Sequence, residues 1–365
     1  VDEKRFALSL FGIAVTVVIG AIAYRFVAAL TVSVFLYYST RKYYKALRRL
    51  RLPARLRAVI VLASLAIPLV LLVSYTLVLL VIEARRFVDQ YSVIDVAATE
   101  VGWIGGVETF PELTVQGIYG AYRTGQLDVF IDFATENAAV LTDVVSGFFL
   151  NLFIVIVVTY YLLVDGSRIK QWLLRFDDES IIREYLEAVD DELEAVLFGN
   201  LLNVIAVSLI AIAAFQGYNT LVPGIAEVPY PTLAGALTGV ASLVPVVGMK
   251  IVYVPLAGFS AVPILLGPDQ SALVYVVGFL VLAVVVVDTI PDLLLRPILS
   301  GKRTHVGLLM LAYTLGPVVL GFYGLFFAPI VLVIGLTFAD TALPALLGAR
   351  EESGPHRDQL RLDDF

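Results

Sequence analysis

Five charged residues lie in or beside long apolar stretches of this chain: Lys250, Asp288, Asp292, Arg296 and Asp340. A charge at the centre of a membrane helix costs roughly 2.5–3.5 kcal/mol on insertion scales, so each of them needs a partner or a function. Asp288, Asp292 and Arg296 recur every four residues, which sets them on one face of a helix if that helix survives Pro291. Asp292 and Arg296 can then pair. Two chemistries fit the set: a polar pathway in which Asp288 or Asp292 holds a cation or proton, or a salt bridge at a helix end, since Lys302 and Arg303 follow. Lys250 interrupts an apolar run between Gly248 and Pro255, either as part of such a pathway or as a side chain that snorkels from a short turn. His305 opens the apolar run 306–315, where it can relay protons near neutral pH, cap a helix or meet the lipid headgroups. Asn200 and Asn203, beside Gly199, form a small polar face suited to hydrogen bonding between helices or to a ligand.

Other chemistries lack their residues. The chain has no H-E-x-x-H, G-x-S-x-G or G-x-x-x-x-G-K-[ST] motif, which leaves metalloprotease, serine hydrolase and nucleotide-driven pump without working parts. Asp288 and Asp340 lack the flanking glycine of an intramembrane aspartyl dyad. No enzyme activity, cofactor or metal is expected, and with no cysteine there is neither a disulfide nor a thiolate site.

The elements that must position these residues are membrane helices. Of 365 residues 59% are hydrophobic and 16% charged, against roughly 25% charged in soluble domains, and the mean hydropathy is +0.90. Apolar runs at 6–24, 26–38, 58–82, 147–164, 197–215, 231–247, 251–267, 271–287, 305–320 and 321–339 approach or reach the ~20 residues that cross a bilayer. The shorter ones suit half-helices or hairpin arms, whose freed backbone groups must be covered by protein or line a cavity. The first run is too long for a cleavable signal peptide and reads as a retained anchor.

Between Arg41 and Arg57 stand eight basic residues and no acid, which places this loop in the cytoplasm. Both termini then lie inside, and the segment 86–146 lies outside as a helical linker, with amphipathic helices over 84–101 and 125–146. The second is expected to run on into the span 147–164, which leaves the bilayer at a polar turn, Asp165-Gly166. Within 167–196 an acidic amphipathic helix carries the stripe Leu186, Val189, Leu193 and Val196, which should dock on the membrane helices. From 217 to 268 glycine and proline are dense, Pro245 and Gly248 among them, and helices there should be broken, freeing backbone groups of the kind transporters use to hold substrates. The net charge of −7 fits a high-salt organism or an ordinary acidic exterior, and it disfavours nucleic-acid binding. Within the cytoplasmic tail, Glu351 to Phe365 is expected to be disordered.

Several short patterns, in this order and spacing, resemble the autoinducer-2 exporter family of PerM-like permeases. Tyr160-Tyr161-Leu162-Leu163-Val164-Asp165-Gly166 is similar to the family's exit from the span after its external linker. Gly199-Asn200 is similar to the pair that opens its next span, and Pro245-Val246-Val247-Gly248 to its Pro-x-x-Gly-Pro break, with Met249 in place of the second proline and Lys250 after it. Pro297 to Gly301 matches a Pro-x-x-x-Gly step. His305 stands where the family has His-Pro, and Gly321, Gly324, Ala328 and Pro329 match its closing pattern. The resemblance implies export of a small polar organic molecule such as autoinducer-2, or, as in some members, sodium or lithium/proton antiport. It also implies a homo-oligomer, of five subunits.

The expected fold is therefore all-α: a polytopic membrane protein with about eight membrane segments, broken or re-entrant in the C-terminal half. Its divisions are 1–85 (N-terminal helices and basic loop), 86–146 (linker), 147–196 (span and cytoplasmic helix), 197–345 (transport region) and 346–365 (tail). Secondary transport across the plasma membrane is the first functional expectation, with the bilayer and a small-molecule or cation substrate as partners. Asn200, Pro245, Gly248, Lys250, Asp288, Asp292, Arg296 and His305 are the candidate pathway residues. A membrane scaffold that transports nothing is the rival class.

Overall fold

The computed structural model describes residues 3–65, 68, 135, 138–173, 180–245, 247–266, 270–295 and 304–347, and among them every regular element is helical. In chain order the helices are α1 (Glu3–Arg25), α2 (Val27–Ala46), α3 (54–65), α4 (Ala138–Leu173), α5 (Ser180–Asn219), α6 (Pro231–Ala241), α7 (Gly248–Leu266), α8 (Leu273–Leu282), α9 (Val306–Leu320) and α10 (Gly324–Thr337). α8 runs on through π-turns at Ala283–Thr289 and Pro291–Leu295, and α10 through one at Phe338–Ala342. Six stretches among the described residues are long and apolar enough to cross a membrane: 4–25, 146–172, 181–219, 248–265, 270–295 and 324–346. This is a polytopic all-α membrane protein. Most of the linker, the second half of the span 58–82 and the tail lie outside the described residues.

The chain divides into two compact units, residues 1–59 with 158–365, and residues 60–157. Of the second, the described part is mainly the end of α3 and the first twenty residues of α4. The rest of this section concerns the first unit.

Two helices are far longer than a bilayer requires. At 1.5 Å per residue the 36 residues of α4 and the 40 of α5 extend about 54 and 60 Å, against a hydrocarbon core of about 30 Å. About half of each must project into water. In α5 that half is the acidic stretch before Leu197, and the apolar half runs from Leu197 to Asn219. The expected exit at Asp165-Gly166 is not the end of a helix: α4 continues for two more turns to Leu173. Leaving the membrane removes the apolar solvent but not the i→i−4 bonds, and an interior glycine costs only about 1 kcal/mol. Arg168 pairs with Asp165 at 2.9 Å across that turn, and a Cβ on Gly166 would stand 2.8 Å from Tyr37 Oη.

Two apolar cores are strung along α5. The upper one gathers Val207, Ala211, Phe215 and Tyr218 with Met249, Tyr253 and Ala257 of α7 and Val276, Phe279, Ala283 and Val287 of the α8 rod. The lower one gathers Leu193, Val196 and Leu197 with Phe35 of α2, Leu309 and Tyr313 of α9, and Leu325, Phe326, Ile330 and Val333 of α10. The stripe read from the sequence thus docks as expected, through Leu193 and Val196.

Small residues allow the closest approaches. A Cβ on Gly235 would stand 2.5 Å from the Ile212 backbone nitrogen, and one on Gly239 would run into Ser208, so α6 lies directly on α5. α9 and α10 form a hairpin through Gly321 (φ +76°), and Gly316 and Gly324 face each other across it with backbone in contact. The glycine- and proline-rich stretch breaks in fewer places than expected. Pro255 and Pro263 sit inside an unbroken α7, while the chain turns at Pro245, between α6 and α7.

Candidate functional site

The turn at Pro245 is built on carbonyl–amide contacts over very few residues. Val244 N–H bonds Ala241 O at 3.0 Å and Gly248 N–H bonds Val244 O at 3.0 Å. A Cβ on Gly248 would overlap Ala241 O, so this position admits only glycine without moving the chain. The turn launches α7 with Lys250 in its first helical turn and Tyr253 three residues on, along the same face.

Across from them, α8 changes its winding. Pro291 has no N–H to donate and its ring crowds the preceding turn, and the helix accommodates it by passing into π-turns on either side rather than ending. Thr289 Oγ1 accordingly donates to Val284 O, five residues back, at 2.7 Å. The first π-turn presents Asp288. Its Oδ2 accepts from Lys250 Nζ at 2.5 Å and from Tyr253 Oη at 2.9 Å. Asp288 is 5% exposed and Tyr253 1%, whereas the Lys250 side chain is 43% exposed. A carboxylate taken out of water in an apolar helix pair is thus met by an ammonium that reaches it along its own aliphatic stem.

Asn200 and Asn203 lie on α5 between Leu197 of the lower core and Val207 of the upper one. Asn203 is 2% exposed, and neither its Oδ1 nor its Nδ2 has a hydrogen-bond partner among the described residues; Asn200 Nδ2 is likewise buried and unpaired. Leaving a buried amide unsatisfied costs about 1–3 kcal/mol per group.

The structure therefore joins Lys250 to Asp288, at the end of the Pro245–Gly248 turn. Asp292 is half-buried on the next π-turn, and Arg296, its expected partner, lies outside the described residues. His305 is exposed and caps α9, its Nδ1 accepting from Gly307 N–H at 3.2 Å. It is not near the ion pair: the preceding Thr304 is bound to Glu192, through N–H at 2.9 Å and Oγ1 at 2.7 Å, about four turns of α5 from Val207. Asp340 is exposed. The sequence reading missed Tyr253 and the identity of the partner of Lys250. The signal for the first was its i+3 position after a membrane lysine. For the second there was only the rule that such charges pair, because 38 residues separate the two.

At the other end of α5 the charges are paired where water is near. Asp190 accepts from Arg41 at 2.6 Å, Lys170 at 3.1 Å and Tyr38 Oη at 3.1 Å, and Glu194 pairs with Lys45 at 2.7 Å and Arg41 at 3.2 Å. Burial raises the Asp190 pKa, but hydrogen bonds and charge from Arg41 and then Lys170 outweigh it and hold the carboxyl below its ordinary value. An open recess of about 410 Å³ beside this cluster is lined by Glu184, Glu187, Asp191, Glu192 and Thr341.

Residues 6–343 match the model of the AI-2E family of transporters. A protein of Archaeoglobus fulgidus, named as a candidate transport protein, is 27% identical over 299 residues, 80% of this chain and 81% of its own. Similarly named proteins of Methanothermobacter thermautotrophicus and Methanocaldococcus jannaschii are 31% and 25% identical over 185 and 211 residues, covering 48% and 56% of this chain and 49% and 58% of theirs. With a family match across nearly its whole length and a membrane fold to suit, the chain belongs to the AI-2E family of transporters.

Proposed function

We propose that this transporter is a secondary exporter of a small, uncharged polar organic solute of the autoinducer-2 type, working in the plasma membrane as a homo-oligomer with both termini in the cytoplasm. What carries the reading is Asn203: a donor and an acceptor held unpaired in a membrane helix, between two packed apolar cores. Such groups are tolerated where a solute or its water satisfies them during the transport cycle. Asp288 is already neutralised by Lys250, which favours a neutral passenger over a free cation. The topology rests on the basic loop Arg41–Arg57.

The experiment is efflux of a labelled hydroxylated solute from proteoliposomes. Wild type should release it, and Asn203→Leu should slow release at least about tenfold, the equivalent of roughly 1.4 kcal/mol at the barrier. The acidic recess near Glu192 favours a second reading, sodium or lithium/proton antiport. A pH-sensitive dye in the same vesicles tests it: cation-dependent proton flux that disappears in Glu187→Gln, at a carboxylate lining the recess, would select antiport. If intact protein moves neither solute nor protons, the scaffold class takes its place.

A further inference from the structure

We infer that Lys250 is a tethered cation, holding the position at Asp288 that a monovalent ion would otherwise fill, so that this protein's carboxylate site is independent of free Na⁺, Li⁺ or K⁺. The argument starts from the geometry of one oxygen. Asp288 Oδ2 receives both the ammonium, at 2.5 Å, and the Tyr253 hydroxyl, at 2.9 Å. A carboxylate oxygen beside a phenol oxygen is hard-donor chemistry, the kind that small monovalent and divalent cations accept. Met249 and Val287, next to the pair in sequence, are fully buried in the upper core, and Asp288 sits in a π-turn, where backbone carbonyls depart from their i→i−4 partners.

A carboxylate buried to this degree needs a positive charge next to it, or it must take up a proton. Lys250 supplies that charge from the chain itself. Its side chain is 43% exposed while Asp288 is buried, so the ammonium reaches the carboxylate from outside the helix pair, along its own aliphatic stem. Lys250 is also placed for this by the fold rather than by chance contact, because it stands in the first turn of α7 directly after the Gly248 turn. The inference concerns the resting charge of the site and holds whichever solute the protein carries.

Thermal unfolding of the full-length protein in detergent tests it without any transport measurement. NaCl, LiCl and KCl are each exchanged against choline chloride at constant ionic strength. Wild type should melt at the same temperature in all four salts. Lys250→Met should melt lower in choline and regain several degrees, saturably, in at least one of the three cations, as expected for a ligand that binds only the folded state. Lys250→Met/Asp288→Asn, with both charges gone, should lose that response. Lys250→Ala keeps the test open if the methionine variant is poorly folded: methylammonium in the purification buffers should restore its melting temperature. A saturable cation response in wild type that Asp288→Asn abolishes would overturn the inference. So would lysine variants that respond to no alkali cation and no alkylammonium, which would leave Lys250 a packing role only.

Discussion

Replacing Asp190 by asparagine should lower the melting temperature by about 6 °C at pH 7, and this offset should shrink in acid. Asp190 sits in the half of α5 that projects from the membrane, with a side chain 13% exposed and three donors on it. The neutral amide keeps a hydrogen-bond acceptor but loses the charge that strengthens the contacts from Arg41 and Lys170. Hydrogen bonds to charged groups contribute about 1.5–3 kcal/mol each. The Arg41 bond, at 2.6 Å between two largely buried groups, belongs in the upper part of that range. The Lys170 contact is discounted because that side chain is 36% exposed, and Arg41 retains Glu194 as a partner. A net loss of about 3 kcal/mol, at roughly 2 °C per kcal/mol for a chain of this size, gives the stated offset. The pH dependence has a fixed sign. A carboxyl whose folded pKa is depressed contributes stability that is complete above its unfolded value, roughly 4, and is lost as pH falls through the folded value. Wild type and Asp190→Asn should therefore differ by a constant amount from pH 8 to 5 and converge below about pH 4. Other carboxylates titrate in both proteins and cancel in the difference. An offset under about 1 °C at pH 7, or one unchanged down to pH 3, would refute the assignment of Asp190 as the charge that ties α2 and α4 to α5.

Gly324→Ala places a methyl group inside the contact with Gly316 O, a backbone atom that cannot swing away; prying α9 from α10 should cost at least about 1–3 kcal/mol, read as a lower melting temperature. Gly258→Ala is the matched control, with nothing within 4 Å of the added carbon in a regular stretch of α7, and should be neutral or stabilising by up to about 1 kcal/mol. Thr304→Val removes the hydroxyl that donates to the buried Glu192 carboxylate and should cost about 1.5–3 kcal/mol in thermal unfolding, with Thr304→Ser recovering most of it. Asn203→Leu should separate stability from activity: melting unchanged or higher, because two unpaired buried groups disappear, and solute efflux strongly reduced.

Much of this fold was legible because the bilayer imposes so few solutions. Length and apolar composition delivered the helices, and the 3- and 4-residue spacing of Leu186, Val189, Leu193 and Val196 delivered the docking of the α5 stripe on the membrane helices. The continuation of α4 beyond Asp165-Gly166 was not legible, since a polar turn marks the edge of lipid as well as it marks the end of a helix, and composition cannot separate the two. Proline was overread for a related reason: Pro255 and Pro263 remove a donor without breaking α7, whereas the turn at Pro245 depends on Gly248 lying against Ala241 O, a contact between two helices. The four-residue spacing of Asp288, Asp292 and Arg296 suggested a pair between Asp292 and Arg296 and named no partner for Asp288. That partner comes from another helix, by way of a π-turn that spacing rules do not anticipate.

The distribution of satisfied and unsatisfied polar groups along α5 runs against cost. In the half that projects into water, where an unpaired charge is inexpensive, Asp190 and Glu194 are each held by two cations. In the membrane half, where an unpaired amide is expensive, Asn203 has no partner among the described residues. If stability alone decided, a leucine at 203 would join the upper core to the lower one without a gap. The polar interruption instead lies between the two cores, and only six residues of α5 separate Leu197 from Val207 outside those cores if the asparagines and Gly199 are set aside. A helix anchored by charge at its wet end and interrupted at its dry one is free to keep its place while, in the proposed transport cycle, a solute takes up the hydrogen bonds that the protein leaves open.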